Sequence, residues 1–98
     1  MYDDGVYQWD EEKAAINEAK HSISFVEASD VFNDPLGVEG FDEAHSETEL
    51  RYFRIGLSGR RLLYVIFTER EDRTRIIHAR KADKEMARVY EEENHKIL

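Results

Sequence analysis

The apolar positions of this chain change period near residue 36. Before it they recur at helical spacing. Ala15, Ile16 and Ala19 share one face of a helix predicted over 11–20, and Phe25, Ala28 and Phe32 form the stripe of a second. Asp10 supplies the N-cap of the first, with Glu11 and Glu12 in the turn where the helix dipole favours anions. Ser24-Phe25-Val26-Glu27 has the S-x-x-E form of a capping box and starts the second. That helix ends at Asp34-Pro35, because the residue before a proline leaves the α region. Lys20-His21-Ser22 joins the two, and Val6-Tyr7-Gln8-Trp9 alternates as a short edge strand ahead of both.

After residue 36 the period is that of strands. Residues 37–41 predict a short strand, and an acidic loop follows over 42–49. Residues 50–57, 61–68 and 73–79 predict three more strands, joined at Ser58-Gly59-Arg60 and Glu69-Arg70-Glu71-Asp72. The run from Leu62 to Phe67 is apolar on both faces, as a central strand requires. Asp83 caps a last helix on which Met86, Val89 and Tyr90 share a face. The order β-α-α-β-β-β-β-α predicts an α+β fold, an antiparallel sheet with two N-terminal helices and a C-terminal helix gathered against one face.

Composition narrows the class. At 98 residues the chain makes one domain (1–98) with a thin core. It has no cysteine, which excludes disulfides, thiolate metal sites and cysteine nucleophiles. The opening Met1-Tyr2-Asp3-Asp4 lacks the basic start of a leader. The longest apolar run is far short of the roughly 20 residues that span a bilayer. A soluble, cytoplasmic protein without membrane contact is expected.

The net charge of −8 hides an asymmetry. Residues 1–50 hold 14 Asp/Glu and 2 Lys/Arg, a balance of −12; residues 51–98 hold 8 and 12, a balance of +4. An acidic half followed by a basic half points to an anionic partner. The basic residues gather on and between the strands: Arg51, Arg54, Arg60, Arg61, Arg70, Arg73, Arg75, Arg80 and Lys81. Guanidinium is a planar fork suited to phosphate. The plainer reading is a solvated sheet face, its arginines paired across strands with Glu69, Glu71 and Asp72.

Strict alternation sets Arg73, Arg75, Ile77 and Ala79 on one face of the last strand and Thr74, Ile76, His78 and Arg80 on the other. Arg75 and Arg80 can then share a site only if the strand bulges or Arg80 lies past its end. The nearby helix start at Asp83 favours the second. The histidines His21, His45, His78 and His95 show no ligand spacing, so no metal and no cofactor are expected. His21, beside Lys20 in the inter-helix turn, is of a residue type suited to proton transfer. His45 is expected to be exposed in its loop. Trp9 and Tyr52 offer stacking surfaces for bases, although large aromatics in so small a domain usually fill the core.

Six strings resemble the BrnT toxin family, in its order. They are Trp9-Asp10-x-x-Lys13; Lys20-His21-x-x-Ser24-Phe25-x-Glu27-Ala28; Val31-Phe32-x-Asp34-Pro35-Leu36; Arg51-x-x-x-Ile55-Gly56; Leu62-Leu63-x-Val65-x-x-Thr68-Glu69-Arg70; and Arg75-Ile76-Ile77-x-Ala79-Arg80-Lys81-Ala82. The resemblance implies a RelE-like ribonuclease toxin of a type II toxin–antitoxin pair that cuts RNA without a required metal. It implies a BrnA-type antitoxin with a ribbon-helix-helix domain. That partner would carry the complex to operator DNA for autorepression, with a toxin dimer inside a heterotetramer.

On this reading Arg75 and Arg80 stabilise transition-state charge, and His21 or Lys20 transfers the proton. Arg70 holds a flanking phosphate, while Arg51 and Lys81 position RNA. Two departures stand out. Ser22 replaces a glycine of the family, which predicts a different turn. His78 replaces a small residue and either joins the site or fills space, the second being the expectation. The acidic half should lie away from RNA, and an antitoxin should cover the arginines with acidic or apolar groups. The competing reading is a non-catalytic module that keeps only the antitoxin contacts.

Overall fold

The computed structural model describes residues 1–95. In chain order the elements are β1 (Tyr2–Asp3), β2 (Tyr7–Trp9), α1 (Glu11–His21), α2 (Phe25–Ser29), a 3-10 turn (Asp30–Asn33), β3 (Val38–Phe41), a second 3-10 turn (Glu43–His45), β4 (Tyr52–Ser58), β5 (Arg61–Arg70), β6 (Arg73–Lys81) and α3 (Lys84–His95). The class is α+β, as the period change predicts. Six strands form one sheet in the order β1-β2-β6-β5-β4-β3. β2 runs parallel to β6 and the other neighbours are antiparallel, so the sheet is mixed. The parallel pair arises because α1, α2 and three strands intervene between β2 and β6.

The predicted caps hold the helices. Asp10 accepts from the Lys13 backbone N–H at 3.0 Å. Ser24 and Glu27 form the reciprocal capping box. Asp83 accepts from the Met86 N–H at 2.9 Å at the start of α3. α1 ends with Ser22 at φ 58°, ψ 34°, its N–H bonded to the Glu18 carbonyl. This is the left-handed cap that glycine adopts most readily, so the turn keeps the glycine shape with serine in it.

The core lies between one face of the sheet and α1–α2. Trp9, Ile23, Phe25, Ala28, Val31, Leu63, Val65, Ile76 and Ala79 form it. Trp9 is therefore a core residue, stacked on Tyr2 with ring centroids 4.0 Å apart, and offers no face to a base. Tyr52 belongs to the same side, tilted against Phe67. Gly56 sits where a Cβ would come within 3.0 Å of the Val31 carbonyl oxygen and Cβ, so the 3-10 turn can lie directly on β4. Arg54 locks that turn, donating to the Val31 carbonyl at 2.7 Å and the Asp34 carbonyl at 2.8 Å.

Beyond its short pairing with β2, β6 has no neighbouring strand on its α1 side among the described residues. Asn17, buried on α1, takes a strand's place there. Its amide donates to the Ala79 carbonyl at 2.9 Å and to the Ile23 carbonyl at 3.1 Å, and accepts from the Ala79 N–H at 3.1 Å. One side chain thus satisfies the backbone polar groups that this edge would otherwise bury unpaired.

β6 does not alternate strictly. Phe67 pairs with Ile76 but Ile66 pairs with His78, leaving Ile77 as an extra residue in a bulge. Arg80 lies inside β6, paired with Tyr64, and not past the strand's end as expected. Ile76 and Ala79, three residues apart, both enter the core as a result.

Candidate active site

The bulge assembles the site. Thr68, Ile66 and Tyr64 alternate on one face of β5, and their β6 partners are Arg75, His78 and Arg80. An unbroken β6 would turn His78 and Arg80 away from Arg75. The extra residue brings all three to the face opposite the helices.

A cavity of about 370 Å³ opens on this face, lined by His45, Arg51, Tyr64, Ile66, Ile77, His78 and Arg80. The Arg80 guanidinium lies 4.9 Å from the centre of the Tyr64 ring and 3.8 Å from Asp83 Oδ2. Arg51 pairs with Glu49 at 3.1 Å, while its Nε is buried with no hydrogen-bond partner among the described residues. His45 enters from the second 3-10 turn. Its Nδ1 lies 2.9 Å from Asp42 Oδ2; a carboxylate only accepts, so Nδ1 carries the proton and Nε2 is left for a ligand.

Burial holds the His78 imidazole below its ordinary 6.5, and the positive potential of His21, Arg80 and Lys20 adds to the effect. His78 is therefore a neutral acceptor at neutral pH. Burial also raises the Tyr64 phenol, with Asp42 adding to it, so Tyr64 stays protonated.

On the other flank of His78 is a smaller hollow of about 220 Å³. Lys13, Asn17, Lys20 and His21 of α1 and Ile77 and His78 of β6 line it. The His21 and His78 rings meet edge to face with centroids 5.0 Å apart. Of the residues predicted from sequence, Arg51 and Arg80 share the larger cavity, and Lys20 and His21 adjoin it through His78. Arg75 is on the same face, but its guanidinium is held by Gln8 Oε1 at 2.9 Å and does not line the cavity. Arg70 borders a separate open depression with Thr48, Glu49, Tyr52 and Glu69. Lys81 follows Arg80 on the strand and so belongs to the opposite face.

The arginines are not paired with Glu69, Glu71 and Asp72 as the plainer reading expects. Their carboxylate partners are Asp3 for Arg73, Glu27 for Arg61, Glu39 for Arg54 and Glu49 for Arg51. The acidic half neutralises much of the basic half, Arg51 in the cavity included. Among the described residues no group of three or more His, Cys, Asp or Glu is placed to hold a metal, and no helix is long and apolar enough to cross a membrane.

A bulged strand that presents Arg and His to one cavity fits phosphodiester chemistry, and comparison with known families agrees. The family model described as "Ribonuclease toxin, BrnT, of type II toxin-antitoxin system" matches residues 9–85. The chain belongs to the BrnT family. No curated protein matches it. A BrnT toxin acts on RNA and has an antitoxin partner.

In this BrnT chain, the sequence points to Arg80, Arg51, Lys20 and His21. It ranks His45 lower as an exposed loop residue, favours His78 as a space-filling residue, and does not single out Tyr64. The Asp42-x-x-His45 spacing could have flagged His45, because it places carboxylate and imidazole within reach across one turn. His78 was hidden by the bulge.

Proposed function

We propose that this chain is a metal-independent endoribonuclease, acting in the cytoplasm as a single domain, and that its chemistry occurs in the cavity of His45, Arg51, His78 and Arg80. The convergence of a neutral imidazole with two guanidiniums on one face carries the reading. His78 takes the proton of a 2′-hydroxyl, whose oxygen attacks the adjacent phosphorus. Arg80, with Arg51, stabilises the charge that gathers on the phosphorane oxygens. The bond to the 5′-oxygen breaks as His45, protonated at Nε2 and steadied through Nδ1 by Asp42, returns a proton to it. The products are a 2′,3′-cyclic phosphate and a 5′-hydroxyl. Lys20 and His21 border His78 and tune its proton affinity. Arg70 and Arg75 lie where flanking backbone can reach them.

The partner on this reading is a BrnA-type ribbon-helix-helix antitoxin, which covers the cavity and carries a toxin dimer to operator DNA. The test is cleavage of a defined oligoribonucleotide in EDTA, with cyclic-phosphate ends and no cut where the 2′-hydroxyl is replaced by hydrogen. Induction should arrest growth, and co-expression of the antitoxin should relieve it. Intact RNA at high concentrations of folded protein would refute the activity. Tight antitoxin binding in that case would establish a non-catalytic module.

A further inference from the structure

Residues 1–50 carry only two Lys/Arg, Lys13 and Lys20, among 14 acidic residues. Both line the same hollow, the one that shares Ile77 and His78 with the larger cavity. They stand seven apart on α1, nearly two helical turns, and so face the same way.

Helix stability explains Lys20, which sits in the last turn where the dipole favours a cation. It does not explain Lys13. That residue is third in α1, in the turn where the dipole disfavours positive charge. Lys13 makes no close ion pair among the described residues; the nearby Asp10 carboxylate is engaged by the Lys13 backbone N–H as the N-cap and feels the Lys13 charge only as a lesser, longer-range attraction. A residue that opposes its local setting and faces a hollow beside the reacting cavity points to a ligand.

We infer that this hollow is a second RNA-backbone site, in which Lys13 holds the phosphate next to the scissile one as the strand passes over His78. The inference rests on the ribonuclease reading above. A single-stranded backbone with one phosphate over Arg80 and the next beside Lys13 would straddle the Ile77–His78 bulge. Lys13 acts as a positioning residue, a point charge on a flexible stem, and takes no part in proton transfer.

The test uses the full chain and a 2′-O-methyl hexanucleotide that cannot be cut. Lys13→Gln should weaken its binding about 3- to 10-fold and lower the slope of log Kd against log salt by about 0.7, the loss of one single-strand phosphate contact. Lys13→Arg should restore both. Lys84→Gln, which removes the same charge from the start of α3, should change neither. On cleavable RNA, Lys13→Gln should raise KM and leave kcat alone. Wild-type affinity and salt slope in Lys13→Gln, with cleavage intact, would overturn the second site and leave the ribonuclease reading standing. A defect confined to antitoxin binding would overturn it in favour of a protein contact. A native chain that neither cuts nor binds the oligonucleotides would refute both.

Discussion

Asn17 on α1 and Ala79 on β6 exchange two hydrogen bonds, one in each direction, across 62 residues of sequence. The amide stands in for a strand and holds the helix against β6 just past the bulge. Asn17→Leu should therefore cost about 2–4 kcal/mol, because a buried N–H and two carbonyls lose their partners. Urea denaturation measures it, and a loss under 1 kcal/mol would mean water replaces the amide.

Ser22 bears the opposite expectation. It occupies left-handed backbone without need of its side chain there, so Ser22→Gly should stabilise the chain by about 1 kcal/mol. A higher urea midpoint at unchanged m-value would register it; a lower one would contradict the strain argument.

His78 makes both stability and rate depend on pH. Its folded value lies below the unfolded 6.5, so the unfolded chain binds more protons in the window between them. Stability is complete above that window and falls as pH drops through it. As a base His78 must be neutral, which places the acid limb of kcat/KM below 6.5 as well. His78→Gln should remove the stability slope and abolish cleavage. A rate limb above 6.5 would assign the base elsewhere.

Arg80 should act twice. Arg80→Ala removes a guanidinium from the phosphorane site and should lower kcat about 10²- to 10³-fold. It also removes part of the positive potential on His78, so the residual acid limb should move up in pH. Arg80→Lys keeps the charge but loses the planar fork over Tyr64 and should recover only part of the rate. Equal activity of Arg80→Ala and wild type, followed by oligonucleotide cleavage, would place the chemistry at another cation.

What was legible in the sequence follows from the range of each signal. Caps act within four residues, so Asp10, Ser24 with Glu27, and Asp83 mark their helices directly. The Ala15, Ile16 and Ala19 stripe predicted for α1 is exposed instead, and Asn17 is the residue that helix buries. The two residues of β1 are too few to carry a period. The bulge leaves no local mark, because Arg73–Lys81 reads equally well as unbroken alternation. It is set by distant partners: Ile76 and Ala79 both reach the core, and Asn17 takes the Ala79 backbone. A mistaken face for His78 and a mistaken strand end for Arg80 both come from that one unseen residue. His45 ranks low in the sequence for a related reason, since the fold and not its loop brings it beside Arg51.

The Ile77 bulge also changes what kind of sequence variation this strand can survive. Substitution at Ile77 keeps the count of residues, and with it the side to which each later side chain turns. Deleting the residue would close the bulge and no more, because Ile76 and His78 already pair with the consecutive residues Phe67 and Ile66, and His78, Ala79 and Arg80 would keep their faces. A residue added between His78 and Ala79 would do the opposite, turning Arg80 beneath the helices and Ala79 out to the cavity face in a single step. The strand can therefore lose a residue at its bulge and keep the order of its faces, but cannot gain one beyond it.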